Sequence, residues 1–450
     1  MPSLAHHHRR QHDDTVFLGL DVHKDSVVAC VRHMVEGKVT TAVKTFMTIT
    51  RELIELSEWL SAAGVTHIAM EATGVYWKPV WHILCDGEFE LVLANAAHVK
   101  HVPGRKTDVQ DCQWLQYLHS VGLLRASFRP ESEICTVRSL SRHRASLVEN
   151  AALHVHHIHK ALTQMNLQIH HVLSDITGQS GMAIVEAIVD GEHDPARLAA
   201  LCHQRVRSDR QTVIKSLVGN YRSEHLFTLK QSLQAYRYCR ELMTDCDREI
   251  EQRIRQLNGK VHLPEKAPPP DPRVHRRSKN EFTFEMVPEL HRIFGVDLTA
   301  IPGISALTAH ILLAEIGPDL SRFPNVAAFA SWLALCPANK KSGGKVLSSK
   351  TRQSNSRANT ALRVAAQTPG RSRTHLGNFY RRLRGRLGAP QAITATAHKL
   401  ARIVYHLLTT GQAYDESVFL HEDQRQAQRQ EKHLRKQARS LGFQLTPIPA

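Results

Sequence analysis

FLGLDVHKD, Phe17 to Asp25, opens on an apolar, β-rich run and closes on carboxylates. Residues 16–22 read as a buried strand. Asp21 follows four or five buried positions, which sets its carboxylate at the sheet edge, facing solvent. Working outward, residues 26–33 come after a short turn and residues 38–46 give a third strand. Residues 50–62 read as an amphipathic helix whose apolar face is Leu53, Ile54, Leu56, Trp59 and Leu60. Residues 66–70 make a short buried strand, 75–85 a helix and 89–94 a further strand.

Three strands, helix, strand, helix, strand is the order of an α/β RNase H-like (RuvC-like) domain, although other mixed folds share it. In that order Glu71, closing the fourth strand in HIAMEATG, falls beside the first strand. Asp108 and Asp111 lie three apart at a helix start in KTDVQDCQWL, so they share one helical face. A helix N-terminus tolerates such charge at ~0.3–1 kcal/mol each. A lone Asp would read as a cap or a solvated strand end, but four gathered carboxylates repel one another unless a cation joins them. Mg²⁺ suits them, since it takes hard oxygen ligands and keeps several waters. Two such ions ~3.5–4 Å apart serve phosphoryl transfer.

From Glu131 the pattern changes. Residues 134–173 and 226–257 read as long helices, two arms of an antiparallel coiled coil that would hold a dimer or clamp a ligand. Shorter helices fall around 181–190 and 194–202. PEKAPPPDPRVHRRSKN, residues 264–280, reads as a linker. LTAIPGISALTAHILLAEIG, residues 298–317, reads either as a helix-hairpin-helix-like element presenting N–H groups to phosphate or as a tight helical hairpin. A helix over 393–408 and a charged, solvated helix over 422–439 complete the chain. The expected divisions are a disordered leader (1–14), the RuvC-like domain (15–130), a helical coiled-coil region (131–260), a Pro-rich basic linker (261–281), a mainly α C-terminal domain (282–415) and a charged tail (416–450).

The formal charge is +16. Residues 321–411 contain no Asp or Glu and carry sixteen Lys and Arg, equal to the whole net charge. An acid-free basic stretch is what a phosphate backbone selects, because each counterion released adds affinity. Nucleic acid is therefore the expected partner. Within this stretch Lys340, Lys341, Lys345, Lys350, Arg352, Arg381, Arg382, Arg384 and Arg386 are the candidate contacts. No apolar run reaches the ~20 residues a membrane span needs, and the polar start lacks a signal peptide's apolar core. The expected setting is the cytoplasm. Eight cysteines without a C-x-x-C pair read as free thiols. His154, His156, His157 and His159 read as a solvated or RNA-facing helix surface, and Trp77, Trp81 and Trp114 as core. ANKKSGGKVLSSKT puts Ser342 before two glycines among lysines. Composition there favours a phosphate-binding or merely flexible loop over a nucleophile, and leaves Ser348 and Ser349 equally eligible.

The strings LGLDVHKD, MEATGVYW, GRKTDVQDCQWLQYLHSVGLLRASFRP, IPGIS and SWLALCPANKKSGGK resemble the transposases of insertion-sequence family one-ten. The likeness runs from about Phe17 to Tyr414 and is most specific in KTDVQD and SGGK. It implies a DEDD-type recombinase, with Asp21, Glu71, Asp108 and Asp111 as catalytic acids binding Mg²⁺. It also implies that Ser342 is a nucleophile forming a phosphoserine link to DNA. A noncoding bridge RNA pairing with donor and target DNA is implied, as are dimers joining into a tetramer with sites shared between subunits. Residues 264–280 depart from the family pattern as an added linker. The rival readings are a RuvC-like nuclease using water and a non-catalytic nucleic-acid-binding protein.

Overall fold

The structure, a computed structural model, describes residues 16–35, 38–72, 74–95, 108–124, 126–259 and 279–446. The expected leader, most of the expected linker, and Lys106 and Thr107 of KTDVQD lie outside the described residues. The chain divides into two compact units, Met1–Arg129 and Pro130–Ala450. No helix among the described residues is long and apolar enough to cross a membrane.

The first unit runs β1 (Phe17–Val22), β2 (Ser26–Val35), β3 (Lys38–Met47), α1 (Thr50–Ala62), β4 (His67–Glu71), α2 (Trp77–Leu84), β5 (Glu90–Ala94) and α3 (Asp108–Ser120). The sheet order is β3-β2-β1-β4-β5. β1 is antiparallel to β2 and parallel to β4, and β4 is parallel to β5. This mixed sheet fits an RNase H-like domain.

Alternation along β1 assigns its two faces. Leu18, Leu20 and Val22 join Ile68, Met70 and the α1 residues Leu53, Leu56 and Leu60 in one buried cluster. Burying these side chains together supplies hydrophobic driving force to this face of the sheet. Phe17, Gly19 and Asp21 turn to the other face, which α3 covers. Cys112 of α3 packs with Val28 and Cys30, and Leu115 with Ala69 and Ala94. Trp77 and Trp81 pack on the α1-side core, their rings edge to face. Trp114 packs beside Leu115.

In the second unit α4 (Ser132–Gln164) and α8 (Ser223–Gln256) enclose α5 (Gln179–Val189), α6 (Pro195–Ala200) and α7 (Arg210–Ser216) in sequence. The two long helices pack antiparallel. Cys246 Sγ donates to Leu140 O near one end, and Ile158 and Leu162 share a cluster with Leu229 and Leu233 near the other. The first arm is shorter than the expected 134–173. It stops at Gln164 because Asn166 takes the left-handed conformation, φ 58°. Leu167 N–H then donates back to Leu162 O at 2.9 Å and Asn166 N–H to Thr163 O at 2.9 Å, a cap that satisfies the last carbonyls without a glycine.

Next come α9 (Met286–Phe294), α10 (Ala306–Ile316), α11 (Val326–Trp332), β6 (Lys340–Ser342), β7 (Lys345–Ser348), α12 (Arg357–Ala365), α13 (His375–Leu387), α14 (Ala389–Thr410) and α15 (Leu420–Ser440). The segment before the Pro-Gly-Ile turn is only a 3-10 turn, Leu298–Ala300. Gly303 has φ 98°, and a Cβ on it would meet Ala365 O at 2.6 Å and Pro369 at 3.0 Å. Its backbone thus lies against its neighbours in the fold. The buried ion pair of Arg144 with Asp247 ties α4 to α8. Arg144 also donates to Asn280 O and Glu281 O, and Asp247 accepts from Thr283 N–H at 3.0 Å. That shared bonding is what makes two buried charges tolerable.

Candidate active site

Asp21 and Glu71 reach one edge by strand register. The β1–β4 ladder ends on Leu20 opposite Met70, so the next residues on two neighbouring parallel strands are the two acids. Period two puts both on the face that α3 covers. Helix α3 lies against β1 in the opposite direction. The rings of Phe17 and His119 meet at 5.0 Å, Gly19 meets Cys112 and Gln116, and Asp108 arrives beside Asp21.

Gly19 sets the height of the helix. A Cβ there would lie 2.3 Å from Cys112 O and 2.8 Å from Gln116 N, so only glycine lets helix and strand backbones touch. Cys112 Sγ donates to Gly19 O at 2.8 Å and to Val28 O at 3.2 Å, which pins the helix across β1 and β2. A glycine within a strand is a sequence-level signal of such close approach, and sequence reasoning passed over it here.

The charges of Asp108, Asp111 and Glu71 all act on Asp21. Burial is the largest influence and pushes the Asp21 carboxyl above its usual range. His23 opposes this, and the three acids push further in the same direction as burial. His23 is a second residue that sequence reasoning missed. Its Nε2 lies 3.2 Å from Asp21 Oδ2 and 3.5 Å from Asp108 Oδ2. Donor atoms of Asp21, His23 and Asp108 all lie within 4.8 Å of one another, a spacing that fits one divalent cation. The only hint in the sequence was its place two residues after Asp21.

Ser342 belongs to the second unit, on a hairpin where a flexible loop was one expectation. Ser342 pairs with Lys345 across a two-residue turn. Gly343 and Gly344 have φ 53° and 76°, the double positive φ that a type I′ turn requires. The Gly-Gly pair was the signal for this hairpin. Lys340, Lys341, Ser342 and Lys345 are exposed, and the Ser342 hydroxyl has no hydrogen-bond partner among the described residues. The hairpin is closed at its base by Ala338 N–H donating to Lys350 O at 2.9 Å. An open cleft of about 840 Å³ at that base is lined by Ser349, Lys350, Arg363, Lys399 and Arg402, among others.

The other candidate cations have different surroundings. Arg352 donates to Ser331 O and Oγ. Arg381 donates to Gly370 O at 2.9 Å and to Ser372 O, which ties α13 to the preceding turn. Arg382 lies over the Phe379 ring, while Arg384 and Arg386 are exposed. Arg363 and Arg402 join Lys350 only through tertiary packing, which residue spacing does not reveal.

Two family models match the chain. The IS110 DEDD model, described as "Transposase", covers residues 18–167, and "Transposase IS116/IS110/IS902 family" covers residues 297–381. The first takes in Asp21, Glu71, Asp108 and Asp111, and the second takes in Ser342. The chain is also 34% identical over 124 residues to a Sinorhizobium fredii (strain NBRC 101917 / NGR234) protein named as a transposase, y4pF/y4sB. That match covers 26% of this chain and 32% of the relative, so the chain spans about a third of the length of the curated relative it matches.

Proposed function

Because this chain belongs to the IS110 family of transposases, we propose that it is a DNA transposase that cuts and rejoins strands through Ser342. Asp21, Glu71, Asp108 and Asp111 are its Mg²⁺-binding acids. The observation that carries this reading is Asp21 at the edge of the sheet, its carboxyl pushed up by burial and by the charges of Asp108, Asp111 and Glu71. A cation bound there would offset that repulsion and stabilise charge on the oxygens exchanging at phosphorus.

The chain's own residues divide the remaining work. Ser342 Oγ attacks the phosphodiester, the Oγ–P bond forms as the strand's P–O bond breaks, and the released strand end carries the hydroxyl. Reversal with a different strand end rejoins DNA and frees the serine. A serine hydroxyl is a weak nucleophile without a base or an activated leaving group, and Ser342 sits exposed with neither bonded to it. We propose that the acids of another subunit, in a dimer or tetramer, complete the site. Lys341 and Lys345 flank the attacking oxygen, and Lys340, Lys350, Arg384 and Arg386 are proposed phosphate contacts, with Arg352, Arg381 and Arg382 as further members. A bridge RNA pairing with donor and target DNA is proposed as the guide.

Strand exchange between donor and target duplexes is expected to need both Mg²⁺ and the RNA that copurifies with the protein. Chelating the ion or digesting the RNA should each abolish exchange in a gel assay. Undiminished exchange after either treatment would remove that component from the reading.

Gly19→Ala tests how the acids are assembled. The added methyl must lift α3 by about 1 Å, and misplacement of that size costs ~10²-fold in rate. Strand cleavage is expected to fall by about that factor while circular dichroism shows the fold retained. A wild-type rate in the alanine variant would show that the height of α3 does not govern the site.

A further inference from the structure

The imidazole of His23 stands between the two halves of the acid set. Asp21 comes from the sheet and Asp108 from the first turn of α3, and Nε2 faces an oxygen of each, at 3.2 and 3.5 Å. Its backbone is fixed independently of those contacts, since His23 N–H donates to Ser26 O at 2.9 Å in the tight β1–β2 turn. The ring is therefore delivered to the edge by the hairpin. It remains partly open to solvent, with the side chain 45% exposed against 19% for Asp21. A histidine that served only to fill space would be buried against apolar groups, and one that served only solubility would not face two carboxylates at once.

We infer that His23 is a further ligand, so that the cation held by Asp21 and Asp108 is bound through one imidazole nitrogen as well as through carboxylate oxygens. The inference rests on the carboxylate reading above and adds a donor of a different kind. Neutral imidazole is a common metal ligand through Nε2, and the three donor atoms already lie within 4.8 Å of one another. A nitrogen donor changes the preference of the site. Mg²⁺ favours all-oxygen surroundings, while a first-row transition ion such as Mn²⁺ accepts an imidazole nitrogen more readily than Mg²⁺ does. This site should therefore favour Mn²⁺ over Mg²⁺ more strongly than the same acids would alone.

The test uses the full-length protein, loaded with Mn²⁺ and labelled with ¹⁵N-histidine, and reads electron spin echo modulation. A directly bound nitrogen is expected in the wild type and should be lost in His23→Gln, whose exposed position leaves folding unaffected. In His23→Asp, calorimetry should show the Mn²⁺-over-Mg²⁺ preference fall. No nitrogen coupling in the wild type, or coupling that persists in His23→Gln, would overturn the inference while leaving the acids in place. Mn²⁺ binding that is undiminished in Asp21→Asn would instead overturn the carboxylate reading itself.

Discussion

Ser342→Ala is expected to eliminate the covalent protein–DNA adduct that the proposed mechanism predicts for the wild type when strand exchange is stopped with denaturant. The loss should be complete, since alanine offers no oxygen to bond phosphorus and the hairpin tip holds no second hydroxyl. Ser348 and Ser349 supply the control. They lie beyond the turn, at and after the end of the hairpin's second strand, and alanine at either should leave the adduct intact. The turn itself is undisturbed by the substitution, because its geometry comes from Gly343 and Gly344. An adduct that survives in Ser342→Ala would sink the serine mechanism. Strand cutting that continues without any adduct would point to a nuclease using water.

Asp108→Ala should have the next largest effect. The residue lies at the exposed start of α3, its side chain 61% accessible, so its removal perturbs the fold little. Metal-assisted stabilisation is worth several kcal/mol, and each 1.36 kcal/mol is tenfold, so strand cleavage should fall by about 10²–10⁴-fold. Retention of DNA in a gel shift should be unchanged, because the proposed phosphate contacts belong to the C-terminal stretch. A non-catalytic binding protein predicts no change in any activity. Mixing the Ser342→Ala and Asp108→Ala proteins adds a further reading of the same pair of variants. Recovery of adduct in the mixture would mean that one subunit supplies the serine and another the acids.

Local signals made the first unit legible. Its strands are short apolar runs bounded by turns, and three of the acids follow directly from position, Asp21 and Glu71 at strand ends and Asp108 at a helix start. Legibility fails where tertiary contact decides. The first long helix looks continuous through residue 173, because neither Gly nor Pro interrupts it and the left-handed Asn166 that ends it carries a weak signal. Arg381 and Arg384 are both exposed and indistinguishable by composition, yet Arg381 is bonded to the backbone carbonyls of Gly370 and Ser372. His23 follows Asp21 by two residues, but only the arrival of α3 from more than eighty residues away gives it Asp108 as a second neighbour. Ser342 was singled out among three serines by resemblance alone, since a residue's nucleophilicity depends on partners its own segment does not contain.

The bare contact at Gly19 also carries a thermodynamic consequence. Two of the acids ride on the helix and two on the sheet, so their mutual repulsion works as a lever prying the helix off its bed. The buried thiol of Cys112 and the packing of Leu115 hold it down. Any cation that binds only the closed arrangement adds to that hold by mass action. On the proposed metal reading, helix docking and ion occupancy become one linked equilibrium, and the endurance of this unit against heat is expected to rise with the metal that surrounds it.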